Sequence, residues 1–339
     1  MAAAVLGSGR APGKVILFGE HAVVYGRPAL AVPVTQVWAE ATIEPAASGA
    51  GLTIHAADLG EEIALRAAPA DHPLAAAVRL ALAEIRGQGA ASFQPDPDWR
   101  ITVRSTIPIA SGMGSGAAVS AAIVRAVVEA AKNESANLQI CKSANCKLQI
   151  TLADVSALVY EVEKLHHGTP SGVDNTVIAY GQPVYFVRGQ APQPFAIGRP
   201  FTLVIADTGI RSPTRIAVGD VWRAWAGEPA RFEALFDRIA AVVEAAQLAI
   251  AAGGPEALGP LMDENHALLQ EIGVSCPELD ALVAAARSAG ALGAKLSGAG
   301  RGGNMIALAT MESAPRVAEA LVAAGATRVI VTRVAADKV

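Results

Sequence analysis

The sequence predicts a mixed α/β (α+β) protein built from two domains. Its 339 residues are more than one hydrophobic core usually organises. Strand-like and helix-like patterns follow one another: Trp99–Pro108 alternates apolar and polar residues, and small residues suited to a helix extend from about Ala117 to Ala131. The proline-rich, nearly uncharged run Gln190–Pro200 indicates a linker. We therefore expect one domain at 1–190 and a second at 195–339.

Composition and charge exclude several classes of protein. Hydrophobic residues make up 52% of the chain and charged residues 17%, which argues against a disordered chain. The net charge of −4 argues against a general nucleic-acid binder, so an anion site must be local, made of backbone N–H groups and a few basic side chains. No stretch approaches the roughly 20 apolar residues of a membrane span, and the start of the chain lacks the pattern of a signal peptide. We expect a cytoplasmic protein.

Three patterns predict the elements of the first domain. Lys14–Val34 contains apolar runs around the polar triplet Gly19–His21, as strands joined by a turn do. The strand at Trp99–Pro108 leads directly into a glycine-rich loop and then into a helix. Thr151 and Asp154 have the spacing of a capping box, and apolar residues recur at helical intervals after them, so a helix follows Thr151.

The second domain is predicted to consist of strands separated by Ala-rich helices. Phe201–Thr208 reads as a strand, Gly293–Ala309 as a second glycine loop leading into a strand, and Ala326–Val334 as a final strand. Earlier in the chain, Ser135–Ile150 nearly repeats itself and carries no catalytic pattern. We interpret that segment as a surface insertion between two helices.

The stretch "ASGMGSGAAVSAA" (Ala110–Ala122) favours a phosphate site. Gly112, Gly114 and Gly116 let the backbone approach a ligand closely. The start of the following helix offers free N–H groups and the positive end of its dipole. The alternative is a tight strand–helix turn in a protein rich in alanine.

Other phosphate and nucleotide motifs are absent or out of place. The sequence has no G-x-x-x-x-G-K-[ST], which excludes a Walker-type loop, and no H-R-D or D-F-G set of a protein kinase. Gly298, Gly300 and Gly303 satisfy G-x-G-x-x-G, but they lead into a strand pattern near the end of the chain and not into a helix. We therefore reject a nicotinamide-dependent oxidoreductase.

Three motifs together resemble those of the galactokinase, homoserine, mevalonate and phosphomevalonate (GHMP) kinase superfamily. They are "APGKVILFGEHAVVYG" (Ala11–Gly26), "PIASGMGSGAA" (Pro108–Ala118) and "KLSGAGRGGNMIAL" (Lys295–Leu308). Within that superfamily, "GEHAVVYG", "EKLHHGTPSGVDN" (Glu163–Asn175) and "ADTGIRSPTR" (Ala206–Arg215) resemble the mevalonate kinases, and the Asp-Tyr pair of galactokinases is missing.

This resemblance implies an N-terminal domain like ribosomal protein S5, a ferredoxin-like C-terminal domain and an active site between them. It implies ATP- and Mg²⁺-dependent phosphorylation of the C5 hydroxyl of (R)-mevalonate. It also implies a homodimer whose ligands are small molecules, with no nucleic acid or membrane partner.

The family's catalytic pair matches Asp174 and Lys14. The aspartate would accept or orient the proton of the attacking hydroxyl, and the lysine would offset charge that develops during transfer. From spacing alone, Asp174 reads equally as a turn residue bonded to its own backbone, and Lys14 as a solvated lysine at a strand start.

The resemblance also assigns binding roles. The expected substrate contacts are Lys14, Glu20, His21, Asp174, Thr214, Gly298 and Ala299. The expected nucleotide contacts are Pro108, Ala110, Ser111, Gly112, Met113, Gly114, Ser115, Gly116 and Ala117.

The expected Mg²⁺ ligands are Glu163 and Ser115. Mg²⁺ favours a carboxylate or two together with nucleotide phosphates and water. The family usually reads Gly-Leu-Gly-Ser-Ser in the second motif, and its second serine helps to hold the metal; here that position is Gly116. We expect weaker metal binding without loss of activity. Glu161 points about 160° away from Glu163 on the predicted helix and is expected to be solvated.

Two alternative functions remain at this point. The first is another GHMP kinase, acting on phosphomevalonate or on the 3-hydroxyl of mevalonate. The second is a non-catalytic GHMP-fold ligand sensor, which should have lost Lys14, Glu163 or Asp174; all three are present.

Overall fold

The structure is a computed structural model. It describes residues 4–335 apart from 89–92, 110, 138–147, 168–169 and 212. The expected mixed α/β architecture is confirmed, with helices packed on two separate sheets. No helix within these described ranges is both long and apolar enough to cross a membrane.

The N-terminal sheet contains seven strands among the described residues, in the order β4-β3-β5-β2-β6-β7, with β1 paired to β2. The pairings are antiparallel except for β3 beside β5. Its strands are β1 (Gly7–Phe18), β2 (Ala29–Pro45), β3 (Thr53–Ala56), β4 (Glu61–Ala64), β5 (Trp99–Ser105), β6 (Val184–Phe186) and β7 (Gln193–Pro194). Its helices are α1 (Pro73–Gly87), α2 (Ser115–Asn137), α3 (Leu152–His167) and α4 (Val173–Tyr180).

Helix α2 packs directly on strand β1 because the facing residues are small. A Cβ atom added to Gly9 would lie 2.1 Å from the carbonyl oxygen of Ala122, and one added to Gly7 would lie 2.4 Å from that of Ala126. Any larger residue would push the helix away from the sheet. The close approach places the start of α2 beside Lys14, in the middle of β1.

The C-terminal sheet is antiparallel, and its four strands among the described residues have the order β11-β8-β10-β9. This order and the chain path β-α-β-β-α-β are ferredoxin-like, as expected. The strands are β8 (Phe201–Asp207), β9 (Gly293–Ser297), β10 (Asn304–Ala309) and β11 (Arg328–Val334). The helices are α5 (Thr214–Gly227), α6 (Pro229–Ala251), α7 (Leu258–Ile272), α8 (Pro277–Ser288) and α9 (Ala314–Ala323).

The strand and helix predictions agree with this structure at their centres. The capping box is confirmed: the Asp154 carboxylate accepts from the Thr151 N–H at 2.8 Å, and the Asp154 N–H donates to the Thr151 hydroxyl at 3.2 Å. Along the chain, the last strand of the first sheet ends at Pro194 and the first strand of the second sheet begins at Phe201. The domain boundary expected between residues 190 and 195 stays a prediction. Of the near-repeat, residues 135–137 continue α2, and 138–147 lie outside the described residues.

Candidate active site

Two adjoining cavities lie between the two sheets. The larger, of about 540 Å³, has an apolar wall that includes Leu59, Val103 and Ile107, and the first glycine loop lies opposite. The smaller, of about 360 Å³, is lined by charged and polar groups that include Arg215, together with apolar side chains such as Val24 and Trp222. The residues that line both cavities are Gly112, Glu163, Asp174, Thr214 and Ala299. The two cavities therefore meet where both carboxylates lie.

The first glycine loop is shaped around Lys14. The Lys14 N–H donates to the carbonyl oxygen of Met113 at 3.0 Å, which fixes the loop to β1. Gly114 has φ 74°, and a Cβ there would lie 3.2 Å from Cγ of Lys14 and 2.7 Å from Ile178. Helix α2 starts at Ser115, and both Ser115 and Gly116 line the larger cavity. The N–H groups of a first helical turn have no partners inside the helix. This is the geometry of an anion site.

Lys14 and Asp174 form an ion pair at the junction of the cavities. Nζ of Lys14 lies 2.8 Å from Oδ1 of Asp174; the lysine is 3% exposed and the aspartate 33%. Gly172, at φ 97°, turns the chain into α4, and this places Asp174 in the first turn of that helix. A carboxylate is favourable there because the helix dipole is positive at its N-terminus. The pair thus holds a carboxylate at the cavity surface.

Glu163 is a buried carboxylate next to this pair. It lies on the inner side of α3, with Val159 and Val162, whereas Glu161 is exposed and accepts from Lys164 at 2.6 Å, as expected. Burial raises the pKa of Glu163 to about 7, the charge of Asp174 adds to the rise, and Lys14 opposes it.

Gly116 brings the start of α2 up to the Glu163 carboxylate. A Cβ on Gly116 would lie 3.1 Å from Oε1 of Glu163. The start of α2 and this carboxylate therefore face one another across a short gap at the cavity wall.

His21 connects the polar turn after β1 to the second glycine loop. Its Nε2 lies 2.9 Å from the carbonyl oxygen of Ala299. Burial lowers the pKa of His21 to about 4; the Ala299 carbonyl opposes this shift, and Arg301 adds to it. The ring is therefore neutral near pH 7 and donates from Nε2. The backbone at His21 has φ 61°, a region that side chains with a Cβ rarely adopt.

Glu20 is paired inside the protein with a residue that the sequence reasoning did not single out. Its carboxylate contacts the ammonium group of Lys295 on β9, and both side chains are fully buried. Burial raises the pKa of Glu20 and lowers that of Lys295, and the charge of each partner opposes the shift of the other.

Some of the remaining predicted site residues line the cavities, and others do not. Thr214, at the start of α5, and Ser111 line the cavities; Gly298 lines the smaller cavity. The side chains of Met113 and Ala117 are buried in the core, so only their backbone could reach a nucleotide. Pro108 does not line either cavity, and Ala110 lies outside the described residues. The roles assigned to these residues stay predictions.

Two further contacts at the second glycine loop were missed from the sequence. Asn304 donates from Nδ2 to the carbonyl oxygen of Ser111 at 2.5 Å and so connects the two glycine loops. Arg301, with φ 59°, forms an ion pair with Asp220 of α5. A large charged residue inside a run of glycines was the available signal for Arg301.

Two family models match the chain. The one described as the GHMP kinases N terminal domain matches residues 74–182, and the one described as GHMP kinases C terminal matches residues 246–327. The chain is 36% identical to the mevalonate kinase of Thermococcus gammatolerans, over 94% of both chains. It is 33% identical to the mevalonate kinase of Pyrococcus furiosus, again over 94% of both. The chain belongs to the mevalonate kinase family of GHMP kinases.

Solved structures agree with this assignment. A crystal structure of Leishmania major mevalonate kinase in complex with R-mevalonate matches with a TM-score of 0.79 and 30% identity, over 97% of this chain and 96% of that one. Lactococcus lactis galactokinase matches with a TM-score of 0.72 at 18% identity, over 97% of this chain and 93% of that one, and shows the fold alone. The family, the fold and the enzyme class expected from the three motifs, a kinase, are confirmed.

Proposed function

We propose that the protein transfers the γ-phosphoryl group of ATP to the C5 hydroxyl of (R)-mevalonate and produces 5-phosphomevalonate. The observation that carries this proposal is the meeting of the two cavities at the Lys14–Asp174 ion pair. The larger cavity has an apolar wall for a base and a helix N-terminus for phosphates. The smaller one has cationic and polar groups suited to a small hydroxy acid. The likeness to a kinase solved with R-mevalonate supports this choice of acceptor.

The Lys14–Asp174 pair accounts for the chemistry of transfer. An acceptor hydroxyl in the smaller cavity would donate its hydrogen bond to the Asp174 carboxylate, which aims the hydroxyl oxygen at the γ-phosphorus. As the new O–P bond forms and the bond to the leaving ADP breaks, the proton passes to Asp174 or to a phosphate oxygen. Lys14, 2.8 Å from Asp174, stabilises the negative charge on the transferring group.

Mg²⁺ fits the gap between the start of α2 and the Glu163 carboxylate of α3. Glu163 and Ser115 would hold the ion together with ATP phosphates and water. The fit rests on two observations: the pKa of Glu163 is raised by burial and by the charge of Asp174, and the backbone at Gly116 lies against the same carboxylate. When bound, Mg²⁺ neutralises charge on the β- and γ-phosphates. Because Gly116 provides no hydroxyl, we propose that the ion binds more weakly here than with a serine at that position.

The alternatives are less well supported. A sensor without turnover would not need Lys14, Glu163 and Asp174 at the meeting point of two cavities. Phosphomevalonate kinase from Streptococcus pneumoniae matches at 16% identity, which shows the fold alone. From the same family resemblance we propose a homodimer in the cytoplasm, which light scattering and cell fractionation would test.

The experiment that tests the proposal is ADP release from ATP and Mg²⁺ with mevalonate, 5-phosphomevalonate, galactose and homoserine offered separately. We expect turnover with mevalonate alone, and ³¹P–¹H correlation spectra that place the phosphate on C5. Turnover with 5-phosphomevalonate, or a product phosphorylated at the 3-hydroxyl, would favour the other kinases. Tight ATP binding without turnover on any of the four would favour a sensor.

A further inference from the structure

A buried ion pair joins the two halves of the protein beside the smaller cavity. The Lys295 ammonium in β9 contacts the Glu20 carboxylate in the turn after β1, 275 residues away along the chain. Neither side chain is exposed to solvent. Such a pair is a poor source of stability, because the cost of removing two charges from water offsets much of their attraction. Its position next to the substrate cavity suggests a role in the geometry of that cavity.

Alternate residues of β9 and of the turn after it contact the end of β1 and the turn that follows β1. The hydroxyl of Ser297 donates to the carbonyl oxygen of Ile16 at 2.9 Å, and the carbonyl oxygen of Ala299 accepts from His21 at 2.9 Å. Residues two apart on a strand point to the same face, so Lys295 and Ser297 lie on one face of β9. That face holds the second glycine loop against the turn that carries Glu20 and His21.

The turn needs such support because its backbone is strained. His21 has φ 61° and ψ −49°, a conformation that is costly for a residue with a Cβ and persists only where neighbours hold it. Glu20 is held by Lys295 immediately before it, and the ring of His21 is held by Ala299. Loss of either contact would free the turn to relax.

We propose that Lys295 is a positioning residue for the acceptor substrate. Through Glu20 it fixes His21 and the Gly298–Ala299 turn, all of which line the smaller cavity, while Lys295 itself lines neither cavity. Glu20 also lines the smaller cavity, and its carboxylate acts there as the anchor of the turn; its direct contact with substrate stays a prediction from the sequence. The kinetic part of this proposal rests on the proposed function.

A double-mutant cycle between Lys295→Met and Glu20→Gln tests the proposal. Because both residues act through one contact, we expect each single variant and the double variant to raise KM for mevalonate by about the same factor, roughly tenfold, with KM for ATP within about twofold of wild type. A hundredfold rise in the double variant would mean independent contacts and would overturn the proposal. Equal changes in both KM values would overturn it as well.

Lys295→Met alone leaves the buried Glu20 carboxylate without a partner and could prevent folding. The double variant removes both charges, so it can be measured even if the single variant does not fold. Thr332→Val is the matched control. The Thr332 hydroxyl donates to Gln36, also between the two halves, but Thr332 lines neither cavity. We expect this variant to lower the melting temperature without changing either KM.

Amide hydrogen exchange at residues 298–303, measured without substrate, separates the positioning proposal from the proposed function. We expect at least about tenfold faster exchange in the double variant and no change in Thr332→Val. Unchanged exchange in the double variant would overturn the positioning role. If wild-type protein fails to phosphorylate mevalonate, the proposed function fails, and the exchange result still decides the role of Lys295.

Discussion

The two glycine loops of the cleft have similar sequences but different surroundings. In the first loop, a Cβ on Gly112 would meet no atom within 4 Å, whereas one on Gly116 would face the Glu163 carboxylate at 3.1 Å. In the second, a Cβ on Gly300 would lie 2.0 Å from the carbonyl oxygen of Val274, and one on Gly302 would lie 2.6 Å from that of Ile210. Gly112 in the first loop leaves room at the cavity, and Gly300 and Gly302 in the second allow backbone segments of one domain to pack. Gly114, whose Cβ would lie 2.7 Å from Ile178, and Gly298, whose Cβ would meet nothing within 4 Å, depart from this division.

The largest expected effect on stability is that of an alanine substitution in the second glycine loop, compared with one in the first. Gly300 and Gly112 both have positive φ, 77° and 81°, so an alanine is strained at either position. Only Gly300→Ala also drives a Cβ into backbone. We expect it to lower the free energy of unfolding by about 3 kcal/mol, against about 1 kcal/mol for Gly112→Ala, in urea denaturation. Equal losses would contradict the assignment of packing to Gly300 and of ligand space to Gly112.

A second expected effect is a pH dependence of stability caused by Glu163, the carboxylate that Gly116 of the first loop faces. The pKa of Glu163 is raised from 4.5 to about 7, so the folded protein binds this proton more tightly than the unfolded chain does. Its contribution to stability is therefore complete below about pH 4.5 and is lost as the pH rises to about 7. Relative to Glu163→Gln, metal-free wild-type protein should lose about 3 kcal/mol over this range, measured by denaturation at several pH values.

Glu161→Gln is the matched control for that titration, because Glu161 lies on the same helix and is exposed. Its stability should follow the wild-type pH profile. Parallel profiles for wild-type protein and Glu163→Gln would mean that the Glu163 carboxylate is not held in a costly environment. Addition of Mg²⁺ and ATP should reduce the difference at pH 7, since a bound cation favours the ionised carboxylate.

Local patterns predicted much of the fold. The alternation at Trp99–Pro108 and the small residues after the loop correspond to β5 and α2, and the capping residues Thr151 and Asp154 correspond to the start of α3. These signals depend on neighbours in sequence, and so sequence reasoning can find them. Helix α1 was not predicted, although the proline at its first position, Pro73, was an available start signal.

The contacts that the sequence did not reveal are those between distant segments. Lys295 occupies an apolar strand, and nothing near it in sequence indicates that its partner is Glu20, 275 residues earlier. The substrate contact of Glu20 stays a prediction from its motif, and the motif could not show that this carboxylate is also paired with Lys295. Likewise, the sequence predicts ligand binding at both glycine loops. It cannot distinguish a glycine that faces a cavity from one that packs against backbone, because that difference depends on the tertiary fold.

The phosphoryl-transfer role of the Lys14–Asp174 pair is tested most directly by kcat of Asp174→Asn with mevalonate, ATP and Mg²⁺ at saturation. The substitution keeps the size of the side chain and removes its charge and its ability to accept the proton. We expect kcat to fall by about 10³-fold while the affinity for ATP stays at the wild-type value. The melting temperature should fall as well, because the buried Lys14 ammonium loses its charged partner. A kcat within about tenfold of wild type would contradict the account, because the carboxylate at the meeting point of the cavities would then not take part in transfer.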